Sequence, residues 1–258
     1  MLNKKGDIMH SPKILVLDIE TAPCLGYFWN IWNTNIGISQ IVNTSKMICF
    51  SAKWCNDKKI FFYSEHKDTR KKMIKEAWNL INEADAVVGY NSKKFDMKVL
   101  NKEFLLEGLS KPDIYKNIDL LQTVRSNFKF VSNKLDHISQ ELGIGKKTSH
   151  QGFDLWQECM NGDNKAWKLM EKYNKNDVKL TEELYGKLKG WIVTPFNFND
   201  HSTGDVCPNC GSKHLIKNGI YRSRTASYQK YKCNNCFSHS KSTNMIRDKR
   251  RNSSVVRI

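Results

Sequence analysis

Hydrophobic and polar positions along the chain change period several times, and each change marks an element. Ile14 to Leu17 are four apolar residues in a row, followed by Asp18-Ile19-Glu20-Thr21. Such a run predicts a strand buried on both faces of a sheet. Met47 to Trp54 and Ile60 to Tyr63 predict two further strands, separated by Asn56-Asp57-Lys58-Lys59, a spacing that suits a hairpin. Three early strands with short links imply an antiparallel meander. The period then turns helical: Met73, Ile74, Ala77, Trp78, Leu80 and Ile81 share one face of a helix from Arg70 to Ala84. Ala86 to Tyr90 reads as a short buried strand, Lys94 to Glu107 as a helix, and Ile114 to Leu121 as a further strand. Leu135 to Leu142 and Phe153 to Met160 read as shorter helices, joined by the basic loop Gly145-Lys146-Lys147. Asn164 to Leu188 reads as one long helix or a broken pair. The pattern is that of an α/β fold, a mixed sheet with helices on its faces. The aromatic stretch Tyr27-Phe28-Trp29 with Trp32 is expected in the core rather than along a groove.

Composition divides the chain. Pro195 to Thr203 is polar and poor in periodic apolar residues, so a domain of residues 12–194 is expected to end there, with 195–205 as linker. The formal charge is +16, of which +11 lies from Val206 onward, where Asp248 is the one acid. A basic tail on a nearly balanced body points to a polyanionic partner. Residues 241–258 hold too few large apolar side chains for a core and are expected to be a disordered basic tail, as is a loose arm over Met1 to Ser11. No apolar run reaches membrane-spanning length and the N-terminus lacks a signal-peptide core. Four of the eight cysteines are scattered and four form two tight pairs, which argues for a reducing, cytoplasmic setting rather than a disulfide framework. A Lys- and Asn-rich composition hints at an AT-rich genome, such as that of a virus acting in its host's cytoplasm.

Candidate chemistry starts at the end of the first strand. Residues two apart on a strand point to the same side, so Asp18 and Glu20 project together. Carboxylates held that close repel. A hard divalent cation, Mg²⁺ or Mn²⁺, would relieve the repulsion; a solvated strand end bearing two acids is the plain alternative. Asp96 ends the stretch Gly-Tyr-Asn-Ser-Lys-Lys-Phe-Asp after a later strand, where it could reach the same rim or simply offset a helix dipole. Tyr173 and Asp177, four residues apart, share one face of the last long helix.

Asp-x-Glu on the first strand, Asn-x-x-x-Phe-Asp after a later one and Tyr-x-x-x-Asp on a late helix, in this order, resemble the three motifs of the DnaQ-like 3′→5′ exonuclease superfamily. The resemblance covers roughly Ile14 to Leu188 in layout, and the tyrosine in the third motif is similar to the DEDDy type found in polymerase proofreading domains. It implies a ribonuclease H-like fold. It also implies that Asp18, Glu20, Asp96 and Asp177 hold two Mg²⁺ or Mn²⁺ ions, and that Tyr173 orients the attacking water. Asn91 and Phe95, with Thr21 and the backbone at Ile19, would contact the terminal nucleotide. Lys93, Lys94, Lys146, Lys147 and His150 are either groove residues or solvated ones, and Asp119 is expected to be structural.

Cys207-Pro-Asn-Cys210 and Cys233-Asn-Asn-Cys236 have the spacing of two knuckles that hold one Zn²⁺ in four thiolates. Residues 206–240 are therefore expected to form a zinc ribbon, with strands over Leu215 to Tyr221 and Ser227 to Lys232. The segment is too small to fold well without such a staple. Its Cys-Pro-Asn-Cys-Gly-Ser, Ile-Lys-Asn-Gly and Tyr-Lys-Cys stretches resemble the N-terminal zinc ribbons of some insertion-sequence transposases, which implies nucleic-acid binding. The combined expectation is a free-standing, metal-dependent 3′→5′ exonuclease tethered to nucleic acid, DNA in preference to RNA. An RNA-trimming exonuclease, a catalytically silent nucleic-acid-binding factor and a junction endonuclease are the other readings.

Overall fold

A computed structural model describes residues 12–32, 35–192, 196–202, 204–223 and 226–246. The arm before Pro12, the boundary at 193–195 and the tail from residue 247 lie outside these. Two compact units result, Lys13–Gly186 and a second from Lys187 onward.

The larger unit is built on five strands: β1 (Ile14–Thr21), β4 (Met47–Trp54), β5 (Ile60–Ser64), β6 (Ala86–Gly89) and β7 (Lys116–Asp119), in the order β5-β4-β1-β6-β7. The first three form the expected antiparallel meander, while β6 and β7 run parallel to β1. Between β1 and β4 lies an additional hairpin of β2 (Leu25–Gly26) and β3 (Ile41–Asn43). Six helices complete the unit: α1 (Arg70–Glu83), α2 (Asp96–Leu106), α3 (Leu120–Asn127), α4 (Leu135–Glu141), α5 (Asp154–Met160) and α6 (Asn164–Leu188), the last one unbroken. None of them is long and apolar enough to cross a membrane.

Alternation along β1 decides what each face of the sheet does. Leu15, Leu17 and Ile19 enter a core with Met73, Ile74 and Ala77 of α1 and Met97, Leu100 and Phe104 of α2. Asp18 and Glu20 therefore face the opposite layer, where Tyr173 and Met170 of α6 pack with Leu155 of α5 and Ile48 of β4. Burying apolar side chains on both faces holds the strand rigid at roughly 25 cal/mol per Å². Pairing with β6 ends at Val16–Val88, so the last residues of β1 reach a rim of the sheet.

The aromatic stretch is not core. Tyr27, Phe28, Trp29 and Trp32 lie exposed beside the β2–β3 hairpin, Trp29 almost completely. Composition alone marks these rings for burial, but a short two-stranded excursion from the sheet has no second layer to cover them.

The second unit holds β8 (Leu215–Arg222), β9 (Ser227–Cys233) and β10 (His239–Met245), in the order β10-β9-β8 and antiparallel throughout. Two expectations are corrected here. Residues 241–245 belong to β10 rather than to a tail, because backbone pairing with β9 orders them with Met245 as their one apolar side chain. Described residues of the expected linker pack on the ribbon: Phe198 donates its N–H to the Pro208 carbonyl at 3.0 Å, and its ring meets that of Phe196.

Candidate active site and thiolate centre

The rim of β1 gathers acids from three places in the chain. Oxygens of Asp18, Glu20 and Asp177 lie within 4.8 Å of one another. Asp177 comes from α6, one turn beyond Tyr173. Asp96 opens α2 and is buried, and its Oδ1 accepts the Ile19 N–H at 3.3 Å. It adjoins the trio against the β1 backbone and adds its charge to the field at Asp18. Gly89 lets the loop before α2 come close, since a Cβ there would sit 2.6 Å from Ser92 Cβ.

These carboxyls are packed in protein but open at the rim: Asp18 and Glu20 are half-buried, Asp177 and Asp96 buried. Desolvation first, and then the neighbouring Asp96, Asp177 and Glu20, push Asp18 well above the usual carboxylate range. Burial and the charge of Asp177 push Glu20 up to about 8. Burial raises Asp96 to about 7 despite the N–H groups it accepts. Asp177 is raised mainly by burial, against the pull of Lys147. Such a set holds its protons until something positive replaces them.

Two side chains that the motifs did not contain complete the site. Asn174, between Tyr173 and Asp177 on α6, donates Nδ2 to Asp18 Oδ2 at 2.7 Å. Lys147 reaches Asp177 Oδ2 and the Tyr173 hydroxyl, at 2.5 and 3.0 Å, and lies 4.9 Å from the Tyr173 ring centre. Burial works against its ammonium, but Asp177 and Tyr173 raise its pKa and keep it charged. Its backbone N–H is tied to Asp136 Oδ1 at 2.7 Å, which fixes the loop. Asp177 Oδ1 and Asn174 Oδ1 are buried with no hydrogen-bond partner among the described residues. Three crowded carboxylates, one of them with an unpartnered buried oxygen, and the free Asn174 Oδ1 make an oxygen-rich donor set of the kind that suits a hard divalent cation.

Tyr173 is held by rings as well as by Lys147. His150 meets it edge-on at 4.9 Å between centres, and Trp156 at 6.0 Å. Burial raises its phenol pKa, so the hydroxyl stays protonated near neutrality. Asp136, Gln140, Lys146, Lys147, Ser149 and His150 line a cleft of about 340 Å³ beside it.

The remaining candidates are spread around the rim. Thr21 ends β1 half-buried, and Ile19 contributes its N–H to Asp96 and its side chain to the core. Asn91 sits at φ 67°, and Phe95, the residue before α2, is substantially exposed. Asp119 is structural: it accepts N–H groups from Asn91, Lys93 and Leu121 at 3.0, 3.2 and 3.0 Å, pinning the loop that carries Asn91 and Phe95. Lys93 binds Gln122 Oε1 at 3.0 Å, and Lys94 is exposed.

In the second unit the sulfurs of Cys207, Cys210, Cys233 and Cys236 lie within 4.8 Å of one another, so they could hold one metal ion. The two knuckles repeat each other. Cys207 donates its N–H to Ser212 O at 2.8 Å and Cys233 its N–H to Ser238 O at 3.0 Å. Four residues past each first cysteine, Gly211 and Phe237 donate back to Cys207 O and Cys233 O at 2.8 and 3.0 Å. N–H groups of Cys236 and Asn235 outweigh burial at Cys233 and lower its thiol to about 7, while burial raises Cys210 to about 12.

Among solved structures, the family B DNA polymerase of the hyperthermophilic archaeon Pyrobaculum calidifontis is similar in fold, with a TM-score of 0.50 at 19% identity. The similarity covers 69% of this chain and 24% of the polymerase, so the chain spans about a quarter of that protein's length. No curated protein matches. A family model, RNase_H_2, described as RNase_H superfamily, matches residues 37–189. Asp18 and Glu20 precede that segment, and the sheet is what brings them to Asp177. With more than half of its length matched and a mixed five-stranded sheet flanked by helices, the chain belongs to the RNase_H superfamily.

Proposed function

We propose that the protein is a DnaQ-like, metal-dependent 3′→5′ exonuclease, with DNA as the favoured substrate and nucleoside 5′-monophosphates as products. The observation that carries this reading is the meeting of Asp18, Glu20 and Asp177 oxygens within 4.8 Å, with Asp96 coupled to them. Asp18, Glu20, Asp96 and Asp177 would hold two Mg²⁺ or Mn²⁺ ions. When bound, such ions supply charge stabilisation at the scissile phosphate and a water that is acidic enough to attack.

The chain's own groups do the positioning. Tyr173, clamped by Lys147 and His150, presents a neutral hydroxyl that orients water and does not act as a base at neutral pH. Asn174 fixes the Asp18 carboxylate, so its free oxygen keeps one direction. Lys147 offsets part of the acidic charge. Phe95 and Asn91, on the loop pinned by Asp119, would contact the terminal nucleotide, as would Thr21 and the backbone at Ile19. In the second unit the four cysteines would hold one Zn²⁺ that supplies most of its stability, since few apolar side chains are buried there. No acid lies between Val206 and Ile246, so the ribbon attracts a polyanion and raises the local concentration of substrate.

The test uses 3′- and 5′-labelled single strands of DNA and RNA with Mg²⁺ or Mn²⁺. The wild type is expected to release mononucleotides stepwise from the 3′ end, and Asp18→Ala and Asp177→Ala to release none while remaining folded. Internal fragments, a mobility shift without cleavage, or undiminished cleavage by both variants would overturn the reading.

A further inference from the structure

The matching knuckles differ at two places, Pro208 against Asn234 and Gly211 against Phe237, and the second one bears on the backbone. Each needs a left-handed residue four past its first cysteine, φ 73° at Gly211 and φ 60° at Phe237. Glycine adopts that conformation freely, whereas a bulky L side chain is strained in it. At Gly211 a side chain is excluded anyway, since a Cβ would come within 2.9 Å of the Phe198 ring. At Phe237 the strain is kept, and the ring that causes it packs little: it is 66% exposed. The left-handed backbone serves the knuckle, but the exposed ring that makes it costly adds little packing, which points to another use for the ring.

The surroundings state the chemistry. Lys232 Nζ lies 5.8 Å from the Phe237 ring centre. Lys213, Lys217, Arg222, Lys230, Lys232 and Lys241 are unopposed by any acid between residues 206 and 246. An aromatic face beside the Lys232 ammonium, on an acid-free segment, fits a base stacked on the ring with its phosphate on that lysine. We propose that Phe237 is a base-stacking site for single-stranded nucleic acid, built on the second knuckle with Lys232 at its edge. This rests on the reading of the ribbon as the nucleic-acid tether.

The test uses the full chain, stripped of Mg²⁺ and Mn²⁺ on a chelating resin so that the probe stays intact, with a 5′-fluorescent single-stranded oligonucleotide followed by anisotropy. Phe237→Gly relieves the strain, so zinc release to a competing chelator is expected to be no faster than in wild type. Affinity is expected to fall about 5- to 100-fold. Phe237→Trp is expected to restore affinity, and the slope of log affinity against log salt to stay unchanged in both. Lys232→Ala lowers that slope by about one. Binding by Phe237→Gly within twofold of wild type, while Lys217→Ala/Lys232→Ala binds weakly, overturns the stacking site and leaves the tether standing. If the lysine variant also binds as wild type does, the tether reading fails and the stacking site with it. Loss of affinity that tracks zinc loss in both Phe237→Gly and Phe237→Trp would make the ring structural and overturn the proposal.

Discussion

Replacing Asp18 by Asn is expected to stabilise the metal-free protein, although it alters a central residue of the site. The amide keeps an oxygen for Asn174 Nδ2 and nearly the same volume, and it removes one negative charge. Two unit charges 4.8 Å apart at an effective dielectric of about 20 cost about 3.5 kcal/mol. Lys147 and the solvent at the open rim reduce this, so about 2 kcal/mol of relief is a fair figure once the acids ionise. They ionise late. Folded-state values of about 7 for Asp96 and about 8 for Glu20 exceed those of unfolded carboxyls. Stability from these groups is thus full in acid and is lost as pH rises toward 8. Scanning calorimetry on resin-treated protein should show Asp18→Asn melting about 4–8 °C above wild type near pH 8.5. The gap should be much smaller at about pH 4, near the unfolded carboxyl range, where the wild-type acid is protonated in the folded state and largely so in the unfolded one. Mn²⁺ at a hundred times its Kd should add about 2.7 kcal/mol to the wild type and little to the variant. A variant that melts below wild type at the higher pH and still responds fully to Mn²⁺ would refute the reasoning.

Other perturbations separate chemistry from scaffolding. If the Tyr173 hydroxyl orients the attacking water as proposed, Tyr173→Phe should lower kcat about 100-fold with KM within a few-fold, measured as mononucleotide release. Asp119→Ala leaves the N–H groups of Asn91, Lys93 and Leu121 without their acceptor and should cost about 3 kcal/mol or more in urea denaturation. Removing zinc with a strong chelator should unfold the ribbon, seen as new proteolytic cleavage within residues 206–246, while Lys13–Gly186 stays protected.

The acids could be read from sequence because strand and helix periods fix direction: Asp18 and Glu20 by alternation, Tyr173 and Asp177 by one turn of helix. Asn174 could not, because an amide on a polar helix carries no signal until the strand it reaches is in place. Lys147 was visible only as one member of a basic loop; its role depends on the Asp136 contact that aims it. Apolar composition misplaced Tyr27, Trp29 and Trp32, since hydrophobicity says nothing of whether a second layer exists to cover a short hairpin. Strand β10 carries no signal for the opposite reason: His239 to Asn244 is polar on both faces, and a ladder made by backbone leaves no side-chain pattern.

Growing crystals in Mn²⁺ and recording the anomalous signal at the manganese edge tests the central claim most directly. Two peaks at the rim of β1, bound by oxygens of Asp18, Glu20, Asp96 and Asp177, with Lys147 moved off Asp177 or bridging to it, are the predicted result. Full Mn²⁺ occupancy elsewhere on the protein, with no peak at the four carboxyls, would contradict it.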